Sequence, residues 1–180
     1  ARRLGTEPDR KIEDSAVIDL MIHDIDIVLS LFDETPTSIS GSGVGEGRHA
    51  SALLEFEGDR MASLTASRKT QRKVRTLEIT AEECFIEVDY LDQSIEIHRS
   101  SVPEYIEEDG DVRFKHEGIV ERPVVQNGEP LQRELESFLE AVKSGTTPEI
   151  TVQDGLDALS VALDIEREID PEIVVAPTDD

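Results

Sequence analysis

Residues 17–29 read VIDLMIHDIDIVL, an apolar run that carries Asp19, His23, Asp24 and Asp26. Charges inside such a run are costly unless they are paired, exposed or functional. Asp14 or Ser15 stands before the run and can cap a helix. We therefore expect a helix over about 16–32, ending near Asp33-Glu34-Thr35-Pro36. With Asp19 at zero and about 100° per residue, His23 falls near 40° and Asp26 near −20°, with Ser30 and Asp33 beside them. The rest of the circumference is apolar, the reverse of an ordinary surface helix. Such a helix is buried nearly all round and offers one thin polar strip to a cleft. Asp24, at about 140°, falls within the apolar arc and needs a structural partner there, backbone or arginine.

The i, i+4 spacing of Asp19 and His23 suits a carboxylate–imidazole pair, in which the acid fixes the tautomer of a general acid/base. A solvated strip with an incidental ion pair accounts for the same spacing. A metal site on Asp19, His23 and Asp26 meets a geometric difficulty, because Asp26 lies about two turns from Asp19. We expect no metal.

Beyond this helix, 180 residues suffice for one domain with a real core. Asp and Glu number 41 against 18 Lys and Arg, a formal net charge of −23, and only five of those cations are lysines. The acids are spread over every expected element rather than gathered in a tail. That pattern argues against nucleic acid or an anionic membrane as partner. It suits a salt-rich cytoplasm, where the Debye length shrinks to roughly 3 Å at 1 M and self-repulsion is screened. A halophilic source is the expectation. No apolar run is long enough for a transmembrane helix, and the opening ARRLGTEPDRKIEDS lacks the apolar core of a signal peptide. A cytoplasmic location follows as an expectation. The single cysteine, Cys84, reads as a small strand residue in CFIEVDY.

A β-rich middle follows the helix. TSISGSGVGE (37–46) is a Gly-punctuated strand, and ASALLEFE and MASLTAS alternate around a two-residue Gly58-Asp59 hairpin. VRTLEIT, CFIEVDY and SIEIHR continue the pattern, EYIEEDGD (104–111) reads as an acidic loop, and VRFK and GIVERPVV are weaker strands, the second confined to an edge by Pro123. Two helices close the chain. One runs from Pro130 to Gly145 with Leu131, Leu135, Phe138 and Val142 as its apolar face, and the other starts at a Thr151–Asp154 capping box with Leu156, Leu159 and Leu163 on one face. The fold class is α+β, a mainly antiparallel sheet covered on one face by helices.

Asp19-Leu-Met-Ile-His23-Asp24-Ile-Asp26 resembles the D-x-x-x-H-D-x-D signature of the glucose–fructose oxidoreductase and inositol dehydrogenase family. ARRLG resembles the strand leading out of that family's cofactor domain, ASALLEFEGDRMASLTASR its hairpin, VRTLEITAEECFIEVDYLDQSIEIHR its next strands, and EPLQRELESFLEAVKSGTTPEITVQDGLDALSVALDI its closing helix pair. The resemblance implies a two-domain dehydrogenase of which residues 1–180 are the C-terminal substrate-binding, catalytic and oligomerisation domain. The Rossmann domain is missing: there is no strand–G-x-G-x-x-G–helix unit, and GSGVGEG (41–47) has Glu46 where the third glycine belongs. The family's catalytic lysine is absent with it. NAD or NADP would then be bound mainly by the missing domain, with no cofactor-binding residue in this chain, and the chain alone is expected to be inactive.

Carried across residue by residue, the resemblance makes His23 the acid/base for a substrate hydroxyl and Asp19 its orienting carboxylate. It lets Asp26 line the same cleft and Arg3 reach substrate or cofactor phosphate, against a solvated arginine as the alternative. CFIEVDYLDQSIEIHR is similar to members acting on nucleotide sugars, such as UDP-N-acetylglucosamine 3-dehydrogenases; a polyol or free sugar stays open. A diphosphate needs cations, and Arg68-Lys69 with Arg72-Lys73 form the basic cluster of this acidic chain. Arg68 and Lys69 are thus candidate substrate contacts. Expected partners are the small-molecule substrate, the protein's own Rossmann domain and further copies in a homodimer or homotetramer. The competing reading is a non-catalytic assembly or ligand-binding domain of the same fold.

Overall fold

Glycines 41 and 43 decide how the first half of the molecule packs. In the computed structural model, which describes residues 1–7, 12–100, 104–108, 111–115, 118–125 and 128–172, they lie on strand β2 (Ser38–Val44) beneath the last helix, α3 (Val152–Ile169). A Cβ on Gly43 would stand 2.7 Å from Ile169 Cγ2, and one on Gly41 would stand 3.2 Å from the Ile165 carbonyl oxygen. Close approach, rather than flexibility or a bulge, explains the Gly-rich strand. The turn that follows uses the remaining glycines: Gly45, Glu46 and Gly47 all have positive φ, and Arg48 Nε donates to the Gly45 carbonyl at 3.0 Å. GSGVGEG is half strand and half hairpin turn.

The chain forms two compact units, Ala1–Val74 with Gly128–Asp180, and Arg75–Asn127. In the first, strands β1 (Arg2–Leu4), β3 (His49–Phe56) and β4 (Arg60–Ser67) join β2 in the order β1-β4-β3-β2. β1 runs parallel to β4, and the other pairs are antiparallel. Alternation on β3 sends Ala50, Ala52, Leu54 and Phe56 inward against the helices, while Ser51 and Glu55 face away. Helix α1 (Ile22–Phe32), with the turn before it, and α3 cover that inner face, contributing Met21, Ile25 and Val28 from one side and Ala158, Val161, Ala162 and Ile165 from the other. The β3–β4 hairpin differs from the expected two-residue turn. Phe56 pairs with Arg60, so Glu57, Gly58 and Asp59 form a three-residue loop, its last two residues left-handed.

Two expectations about the closing helices need correcting. Helix α2 (Pro130–Ser144) has its proline at the first turn and a left-handed Gly145 after its end, as the spacing implies. Its apolar face, however, is not core: Leu131, Leu135, Phe138 and Val142 are all exposed, and Ala141 is the residue it buries. On α3 the Thr151–Asp154 capping box is formed, but the buried face is Ala158-Val161-Ala162-Ile165, with Leu156 and Leu159 exposed. A helix laid against two glycines needs small or branched side chains at the contact.

The second unit is an antiparallel array in the order β10-β7-β6-β5, made of β5 (Val74–Thr80), β6 (Phe85–Asp89), β7 (Ser94–Ser100) and β10 (Gly118–Glu121). β10 sits at the edge and stops before Pro123. The stretch read as an acidic loop contains a strand, β8 (Glu104–Glu108), which pairs with β9 (Asp111–Lys115) in register Tyr105↔Phe114. Acidic composition concealed the strand propensity of Tyr105 and Ile106. Cys84, half-buried, immediately precedes β6. No helix among the described residues is long and apolar enough to cross a membrane. The fold is α+β and mainly antiparallel.

Candidate active site

Ser15 starts the critical helix. Its Oγ accepts from the backbone N–H groups of Val17 and Ile18, both at 3.1 Å, and donates to Glu166 on α3. Those contacts satisfy the donors that any helix start leaves open. Between this cap and α1 the backbone takes one wider turn, Val17–Met21, where the Ile22 N–H reaches back five residues to the Val17 carbonyl. Such π-type turns insert one residue into the helical count. Every angle drawn on an ideal α-wheel across residue 21 is therefore shifted.

The displaced phase separates the expected pair. The Asp19 carboxylate meets Arg68, with Oδ2 at 2.7 Å from Nη2 and 3.1 Å from Nε. His23 is exposed on α1, and no hydrogen bond or ion pair joins it to Asp19 among the described residues. Its electrostatic neighbour is Asp26, one regular turn further along. Burial holds the half-buried Asp26 carboxyl above its ordinary range; Asp154 adds to that rise and His23 offsets part of it. Asp26 also lines an acidic cleft of about 290 Å³ with Asp33, Glu34, Glu149, Asp154 and Asp157. Asp154 itself is held below the usual aspartate range by the Thr151 backbone N–H and hydroxyl.

Asp24 has found its partner. Arg3 on β1 donates from Nε to Oδ2 at 3.0 Å and from Nη2 to Oδ1 at 2.7 Å, a bidentate pair with Arg3 9% and Asp24 4% exposed. Arg3 is therefore committed to a buried bond between the first strand and α1. It is neither a solvated arginine nor turned toward solvent.

The basic cluster divides in two. Arg68, 5% exposed, points inward and binds the carbonyls of Asp14 at 2.6 Å and Ser15 at 3.0 Å as well as Asp19. It clamps the chain just before the wide turn. Lys69, Arg72 and Lys73 remain exposed, and the Lys69 ammonium lies over Gly45, where a Cβ would approach Nζ to 2.9 Å. The structure thus joins Asp19 with Arg68 and Arg3 with Asp24, and it leaves His23 exposed, within electrostatic reach of Asp26. Sequence reasoning missed the Ser15–Glu166 bond and the proximity of Asp154 to Asp26. The first had a partial signal in the Ser15 cap; the second had none, because it comes from helix packing.

A family model described as the GFO/IDH/MocA C-terminal domain matches residues 5–87. The UDP-N-acetylglucosamine 3-dehydrogenase of Acidithiobacillus ferrooxidans is 28% identical over 102 residues, covering 54% of this chain and 33% of that protein. Solved structures of similar fold include UDP-N-acetylglucosamine 3-dehydrogenase GnnA of the same organism, at TM-score 0.78 and 23% identity over 93% of this chain and 53% of that one. The aldose-aldose oxidoreductase of Caulobacter crescentus, complexed with glycerol, has TM-score 0.72 and 15% identity over 93% and 51% of the two chains. A levoglucosan dehydrogenase in complex with NADH and levoglucosan has TM-score 0.69 and 15% identity over 95% and 56%. The chain spans about half the length of these solved relatives and 33% of the curated one.

Proposed function

We propose that this chain is the C-terminal, substrate-facing domain of a two-domain NAD(P)-dependent oxidoreductase acting on a sugar, nucleotide sugar or polyol. The observation that carries the reading is the family match over residues 5–87, which spans the whole polar strip of α1 and its supports Arg68 and Ser15. The reaction class is alcohol oxidation, in which a nicotinamide held outside this chain would supply the hydride acceptor and this chain the base for the hydroxyl proton. His23 is that base, exposed on α1 with Asp26 one turn further along the same helix. Asp19, held by Arg68, contributes a fixed carboxylate for substrate hydroxyls.

This chain's residues do not fit the dinucleotide. Its only Gly-rich stretch among the described residues is taken up by the α3 contact and by a hairpin turn, which leaves no loop before a helix to receive phosphates. The cofactor, NAD or NADP, accordingly belongs to a domain outside it. The apolar face of α2 is exposed and suits a covering partner. Lys69, Arg72 and Lys73, the exposed part of the basic cluster, would receive a substrate diphosphate. We further read the protein as cytoplasmic, assembled as a homodimer or homotetramer, and adapted to molar salt.

One observation favours the alternative, a non-catalytic assembly or ligand-binding domain: the Asp19 carboxylate is engaged by Arg68 rather than by His23. Fluorescence titration of NADH into the two-domain protein separates the readings, since absence of cofactor binding would overturn the oxidoreductase. In that protein His23→Ala should lower turnover by roughly 10²–10⁴-fold with NADH affinity unchanged. Unaltered turnover would remove His23 from the role.

A further inference from the structure

The second unit carries a cluster that the oxidoreductase reading does not use. Across β5, β6 and β7 the register sets Glu78 opposite Glu87, and Glu87 opposite Glu96. Glu87 and Glu96 thus face each other on one side of the sheet, where His98 and Arg122 offset their like charge. Two residues along β7 from Glu96, on the same face, is His98. Its Nε2 lies 3.1 Å from Glu87 Oε2 and 3.6 Å from Glu96 Oε2, and one ligand atom from each of the three residues lies within 4.8 Å of the others.

We propose that Glu87, Glu96 and His98 form a site for a divalent transition-metal ion such as Zn²⁺ or Co²⁺. The two separations from Nε2, 3.1 Å (a hydrogen bond that an ion would replace) and 3.6 Å, lie close to the roughly 3.3–3.6 Å between ligand atoms around a tetrahedral centre with bonds of about 2.0–2.2 Å. One imidazole and two carboxylates are a borderline donor set suited to Zn²⁺, Co²⁺ or Mn²⁺ and poor for Ca²⁺, which takes oxygen ligands alone. The side chains are also held in place. Arg122 Nε donates to Glu96 Oε1 at 2.7 Å, which leaves Oε2 facing His98. The Phe85 ring stands cross-strand from His98, with centroids 5.9 Å apart, and backs the imidazole. Ligands oriented by outer partners in this way are the usual construction of a metal site. All three side chains are open to solvent, so three protein ligands leave coordination positions for water or an external group.

Co²⁺ titration of the 180-residue chain, followed by its visible absorption and by calorimetry with Zn²⁺, tests the site. We expect one equivalent bound, with Zn²⁺ raising the unfolding midpoint. His98→Ala and Glu87→Gln should each weaken binding at least tenfold and abolish the midpoint shift, while Asp154→Asn in the acidic cleft leaves both intact. Because the three side chains are at the surface, these variants keep the fold. No saturable binding, or binding and a midpoint shift that survive His98→Ala, would overturn the proposal and indicate diffuse attraction to an acidic surface.

Discussion

At the scale of single residues, the ionisable groups of VIDLMIHDIDIVL have quite different situations. Asp24 and Arg3 form a buried bidentate pair between α1 and the first strand. Removing one member of a buried pair leaves an uncompensated charge, so Asp24→Ala should cost roughly 3–5 kcal/mol in urea unfolding. The double substitution Arg3→Met with Asp24→Leu should recover most of that loss, since apolar groups of similar volume replace such pairs at little cost. A single substitution costing less than about 1 kcal/mol would show that the pair does not anchor the strand. That Asp24 needed a partner was legible, because an aspartate in an apolar arc cannot stay unpaired. That the partner is Arg3 was not, since strand and helix meet only in the folded chain.

Elements repeat the lesson with the opposite outcome for the closing helices. Their ends were legible: Pro130, Gly145 and the Thr151–Asp154 box lie where local chemistry puts them. Their buried faces were not. Periodicity marks a stripe as apolar without saying which neighbour covers it, and the apolar stripe of α2 and Leu156 and Leu159 of α3 are exposed here. Phe138→Glu on α2 should therefore move the unfolding midpoint of this chain by less than about 0.5 kcal/mol, as an exposed site does. Ile165→Ala on α3, at 0% exposure, should cost about 2–5 kcal/mol by opening a cavity under the helix. Equal effects of the two substitutions would contradict this assignment of faces. The wide turn at Val17–Met21 had no legible sign at all, because nothing in Val-Ile-Asp-Leu-Met distinguishes a π-type turn from an α-turn.

The whole molecule is governed by its charge. At −23 over 180 residues, with acids spread along most of the chain, self-repulsion opposes the compact state in dilute buffer. Between low salt and about 1 M KCl the Debye length falls from tens of ångströms to roughly 3 Å, so the unfolding midpoint should rise steeply with KCl. Equal stability at both ends would sink the reading of salt adaptation. Exposed pairs such as Arg48–Glu7 and Arg99–Glu121 weaken on the same titration, each by a fraction of its small contribution.

By itself, the sequence determined the α+β class, the order of most of its main elements, and the ends of the closing helices. Those properties follow from local periodicity, proline and glycine geometry and the cost of burying charge, all of which act over a few residues. Tertiary structure alone decided which carboxylate meets which cation, which helix faces are covered, and that Asp19 turns to Arg68 while His23 lies beside Asp26. Each of these depends on residues far apart in the chain, or on a one-residue change of helical phase that the wider turn introduces at Val17–Met21. Pairing and phase are properties of packing, and no window of sequence contains both sides of a packed contact.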